Sequence, residues 1–143
     1  MEKDHFNKWR QKEKHLDAST NEWIRKDFKK DWIIQGVTKE FVDYAEKAGR
    51  AIKEGGLTAS QIRNIYGEVK RIQNGDFDKL KSSFFLLKPK VAYAVGRNNN
   101  LGLQIFQTIF NECFSLIQDK KTFHNFCNIF EAILAYHKAY GGK

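Results

Sequence analysis

Proline is almost missing from this chain: Pro89 is the only one in 143 residues. There is also no clean run of alternating apolar and polar residues, while long stretches repeat apolar positions with a period near 3.6. Together these argue against a sheet protein and for an all-α chain. Cysteine is equally scarce. Cys113 and Cys127 are the only two, and both lie among apolar residues at helical spacing, so they read as buried thiols and not as a secreted disulfide framework. No apolar run approaches the roughly 20 residues that span a bilayer. The N-terminus is charged from Glu2 onward with no apolar stretch of the kind a secretion signal needs. These absences lead to the expectation of a soluble, cytoplasmic protein with no membrane partner.

One further absence is local. No acid occurs between Asp78 and Glu112, whereas Lys79, Lys81, Lys88, Lys90 and Arg97 all fall in that interval. The bias agrees with the whole chain, in which 25 Lys and Arg oppose 17 Asp and Glu for a formal charge of +8. Such a balance favours nucleic acid or another acidic partner, although it also serves solubility.

The length is that of one ordinary domain. We expect an all-α, single-domain helical bundle of about five to six helices, covering residues 21–143. Residues 1–20 are dense in both charge signs and carry only Phe6, Trp9 and Leu16 as large apolar groups, a composition open to mobility or to ordering against a partner.

Along the bundle, Trp23, Ile24, Phe28, Trp32 and Ile33 mark an amphipathic helix that Gly36 can end. Thr38 can cap the next, with Val37 and Val42 in staple positions. Its inner side includes Ala45, Ala48 and Gly49, small enough for a neighbouring helix to approach closely. The stretch LTASQIRNIYGEVKRI, Leu57 to Ile72, announces a helix with Thr58 as N-cap, Gln61 completing a capping box and Leu57 with Ile62 as a hydrophobic staple. Its apolar side, with Ile62, Ile65, Tyr66, Val69 and Ile72, borders a polar strip of Ser60, Arg63, Gly67, Lys70 and Asn74 that contains no acid. Phe77, Leu80, Phe84, Leu87, Val91 and Val95 then hold one helical phase through Pro89, as one kinked helix or two stacked end to end would. Lys79, Ser83, Leu86, Lys90, Tyr93 and Arg97 line the opposite side, a second basic stripe expected to pair with the first. Leu103 to Ile117 predicts a central helix, and Thr122 can cap a last one ending at Gly141 and Gly142. Eight of the twelve phenylalanines lie from Phe84 onward, which puts the bulk of the core in the C-terminal half.

Catalytic patterns are mostly lacking. Neither a phosphate-binding loop nor a dinucleotide fingerprint occurs. His124 and Cys127 sit one helical turn apart, but a structural zinc site wants four ligands, so no metal and no cofactor are expected. His137 reads as a hydrogen-bonded, partly buried side chain. A ribonuclease using His124 and His137 and a small helical DNA-binding protein reading bases with Arg63 and Asn64 are weaker alternatives, as is a protein-protein scaffold that never touches RNA.

Three ordered motifs, LTASQIRNIYGEVKRI, LLKPKVAYAVGRN and FHNFCNIFEAILAYHKAYGG, resemble the Csm small subunit of type III-A CRISPR effector complexes. The likeness runs from about Val37 to Gly142. It implies an all-helical, noncatalytic, cytoplasmic subunit that lies along the CRISPR RNA and its single-stranded target RNA, beside other effector subunits, in a filament built partly by self-association. Matched motif by motif, the implied RNA-contacting positions are Arg63, Lys70, Arg71, Lys88, Lys90 and Arg97, with Arg63 or Arg97 alternatively bracing helices. The basic stripe adds Lys79, and Tyr93 is either a platform for an unpaired base or an edge of the core. Trp9, Trp23 and Trp32 are candidates for protein contacts.

Overall fold

The computed structural model describes residues 18–143; most of the polar segment 1–20, Trp9 included, lies outside them. Among the described residues every regular element is an α-helix, and none is long and apolar enough to cross a membrane.

The first expected helix is divided into α1 (Ala18–Asp27) and α2 (Asp31–Ile34). Trp32 ties α2 to the helix that follows. Its indole Nε1 donates to the Thr38 hydroxyl at 3.2 Å, the same oxygen that accepts from Phe41 N at 3.4 Å and caps α3 (Lys39–Glu54). The start of α3 thus fixes α2. Trp32 is only 2% exposed and packs on Phe28, Phe41 and Tyr44, so it belongs to the core and offers nothing to a partner. Trp23 is half-buried, with the Lys47 ammonium 4.3 Å from its ring. Val37 and Val42 both stay exposed.

The small side of α3 does receive a neighbour, as expected. A Cβ on Gly49 would fall 2.6 Å from Tyr136 Cβ and 2.7 Å from Ile133 O of α8 (Lys120–Ala139), so only glycine lets these backbones meet at this distance. At the head of α8, Asp119 takes the cap and Thr122 becomes its partner three residues on. Asp119 Oδ1 accepts from Thr122 N at 2.9 Å, and Thr122 Oγ1 accepts from Asp119 N at 3.1 Å. Asp outcompetes the expected Thr because its charged oxygen faces the positive helix end.

α4 (Ala59–Asn74) begins at the expected capping box, Thr58 N donating to Gln61 Oε1 at 3.0 Å, with Leu57 and Ile62 both buried. The stretch around Pro89 is two helices, α5 (Lys81–Phe85) and α6 (Leu87–Asn98), separated at Leu86. Pro89 falls in the first turn of α6, where a missing N–H costs little. α7 (Leu101–Phe114) starts earlier than apolar spacing suggests because Asn100 caps it, Oδ1 accepting from Leu103 N at 2.8 Å. Asn100 Nδ2 also donates to Gly56 O at 3.3 Å and Gln61 Oε1 at 2.9 Å, while Gly102 N donates to Gly55 O at 3.0 Å. Two corners of the fold are joined there.

α3, α7 and α8 form the centre, with α1 against α7 and α2 against α8. The buried phenylalanines Phe106, Phe110, Phe123, Phe126 and Phe130 fill the space between α7 and α8. α4 lies outside this centre, between α6 on one side and α8 on the other.

Candidate nucleic-acid interface

Consecutive residues of a helix project about 100° apart, so neighbours in sequence can face different partners. On α4 this decides the site. Ser60, Asn64 and Glu68 look toward α6 and, with Lys90, Tyr93 and Arg97, line a groove of about 670 Å³. Arg63, Tyr66 and Lys70 look toward α8 and, with Glu131, Leu134 and Lys138, line a second groove of about 550 Å³. The two basic strips therefore do not merge into one surface, contrary to the expectation from helical wheels. Each wheel was sound, but the placement of α6 and α8 on opposite flanks of α4 is a tertiary fact.

In the α4–α6 groove, Arg97 has no carboxylate within salt-bridge distance among the described residues. Tyr93 is 68% exposed, which removes the reading of its ring as a core edge. Lys90 lies 3.6 Å from Glu68. Arg71, at the α5 end, donates to Glu68 through Nε at 3.2 Å and Nη2 at 3.0 Å, and to Ser83 Oγ at 2.7 Å. The Arg71 hydrogen bonds, followed by the charge of Lys90, hold the Glu68 carboxyl below its usual range. Glu68, absent from the sequence-based candidates, is the acid that tempers this groove. Its pairing with Arg71 at i, i+3 is visible in sequence, but its contact with Lys90 spans two helices and is not.

The other candidates are dispersed. Lys70 pairs with Glu131, whose hydrogen bond raises the Lys70 pKa, so the acid-free strip on α4 acquires its acid from α8. Lys88 turns away from the groove and sets its Nζ 5.3 Å from the Phe114 ring. Lys79 is exposed in the turn before α5, and Phe85 and Leu86 are exposed nearby in sequence.

Hydrolytic chemistry gains no support from geometry. His124 and His137 are separated by about 20 Å along one helix, too far to serve a single phosphate. His137 is buried with Nε2 2.7 Å from Leu57 O, a structural contact. His124 is exposed while Cys127 is buried, and no cluster of three or more metal-ligating side chains occurs among the described residues. Arg63 and Asn64 face opposite flanks of α4, one toward α8 and the other toward α6, so they do not form one base-reading face.

The family model for Csm2 of type III-A systems matches residues 35–143. The chain belongs to this family. It is also 31% identical over 114 residues to a protein of Streptococcus thermophilus described as "CRISPR system Cms protein Csm2", covering 73% of this chain and 94% of that one. No solved structure matches it. Csm2 family membership makes the chain a type III-A CRISPR effector subunit. The Csm2 match takes in α3 to α8 and with them both grooves, leaving α1 and α2 ahead of it.

Proposed function

We propose that the chain is a noncatalytic, RNA-binding small subunit, cytoplasmic, whose α4–α6 groove runs along the sugar-phosphate backbone of CRISPR RNA and its single-stranded target. Residues 21–143 act as one bundle domain and contribute to the effector filament. The observation that carries this reading is the face of α6 itself: Lys90, Tyr93 and Arg97 stand successive turns apart, opposite Ser60 and Asn64, with Glu68 the single acid among the residues lining the groove. Cations spaced along a groove engage phosphates without reading sequence, and guide pairing supplies the choice of target. An exposed tyrosine among them gives an unpaired base a stacking surface. Arg71 and Lys79 extend the basic path toward α5. Arg63, Lys70 and Lys88 lie off it, and their part in RNA contact is secondary.

Lys90→Ala with Arg97→Ala tests the reading. Single-stranded RNA affinity of the purified subunit should fall and its logarithmic salt slope should flatten by about 1.4, two phosphate contacts at about 0.7 each. Helicity by circular dichroism should not change. Unaltered binding would leave the protein-scaffold reading in its place.

A further inference from the structure

The α4–α8 groove differs in kind from its counterpart. Its floor is apolar, made by Ile62, Tyr66 and Leu134, and the small side chains of Ala59 and Ala135 keep it open. The Tyr66 ring is already stacked on Phe130 at 5.9 Å, so it forms a fixed wall with an exposed outer side. Lys70 is neutralised by Glu131 at one end. At the other end, Arg63 and Lys138 have no carboxylate partner among the described residues.

We propose that this groove docks an acidic helix with an apolar face, presented by a different protein subunit of the effector. RNA would find phosphate partners only at the Arg63 end and would bury the apolar floor against nothing suited to it. The two unpaired cations of this groove, Arg63 and Lys138, call for a partner face with carboxylates to spare, which favours a subunit other than this one, where Lys and Arg outnumber Asp and Glu by 25 to 17. The α4 wall from Ala59 to Lys70 rises about 17 Å, which accommodates about three turns of a helix with anchors at i, i+3 or i+4, and i+7. Its acidic residues meet Arg63 and Lys138, and its apolar stripe covers Ile62, Tyr66 and Leu134. The inference needs effector membership but not RNA contact.

A photo-crosslinking amino acid at Ala135, in the effector reconstituted from all its subunits and its CRISPR RNA, reads the occupant directly. The expected product joins this chain to another protein subunit, at a segment with Asp or Glu flanking an apolar stripe. A crosslink to RNA, to another copy of this chain, or to nothing would overturn the proposal. Independently, Leu134→Glu should lower incorporation into the effector by about tenfold while single-stranded RNA affinity of the free subunit stays within about twofold. Lys138→Glu, at an exposed position, repeats the test in case Leu134→Glu disturbs folding. Wild-type incorporation of a folded Lys138→Glu subunit, or an equal loss of RNA affinity, would refute docking of an acidic helix. If the wild-type subunit binds no RNA at all, the RNA reading fails and the crosslink still decides this one.

Discussion

Lys90 on α6 reaches to within 3.6 Å of Glu68 on α4, so the groove read as an RNA path is crossed by an internal ion pair. Glu68 also accepts from Arg71 and, held below its usual carboxyl range, stays ionised and competes with phosphate for two cations. Glu68→Gln should therefore raise single-stranded RNA affinity about three- to tenfold at low salt, with the gain shrinking as salt screens the groove. Weaker binding in a filter or anisotropy assay would mean that Glu68 instead positions the cations. Because the folded pKa is depressed, the stabilisation from this carboxylate is present above the ordinary value of about 4.3 and is lost as pH falls through the folded one.

Tyr93 should matter through its ring and not its hydroxyl. Tyr93→Ala is expected to cost about 1–3 kcal/mol of single-stranded RNA binding, and Tyr93→Phe close to nothing, measured by titration at one fixed salt concentration. Equal losses from both would shift the contact to the phenol oxygen.

Two glycines should respond in opposite directions to the same substitution. Gly67→Ala sits mid-helix where an added Cβ meets nothing within 4 Å, and should stabilise by about 0.5–1 kcal/mol. Gly49→Ala gains the same helix propensity but drives a methyl against the α8 backbone, so overpacking wins and a net loss of about 1–3 kcal/mol is expected. Urea midpoints of the two variants decide this.

Both cysteines are buried, and burial first of all pushes the Cys113 thiol upward and the Cys127 thiol to about 12. Thiolate is the reactive form, so native protein at pH 8 should resist iodoacetamide and take up two equivalents only on unfolding, as mass spectrometry would register. Rapid labelling of the native state would contradict this packing.

Local chemistry made much of the fold readable. Thr58 with Gln61, the small face at Gly49 and the end of α8 near Gly141 each follow from a short run of residues. What the chain order does not contain is partnership across it. Trp32 is withdrawn from the surface by Thr38, and Asp119 displaces Thr122 because two competing caps lie three residues apart. Asn100, plainly a turn residue, turns out to bind Gly56 and Gln61 as well. The site followed the same rule. Lys90, Tyr93 and Arg97 share a helix face and stayed together, while Arg63 and Lys70 were separated from them by where α8 packs. Glu68 and Glu131, the acids that temper the basic strips, each act on a cation of another helix.

The bonds at Asn100 have a mechanical consequence. At that end the walls of the α4–α6 groove are tied by a capped turn and by the Gly102–Gly55 backbone hydrogen bond. At the Ser83 end the polar links between the helices are the Arg71–Ser83 and Lys90–Glu68 side-chain contacts. A polyanion entering the groove would have to exchange the charged links at the Ser83 end for its own, but none of the neutral bonds at Asn100.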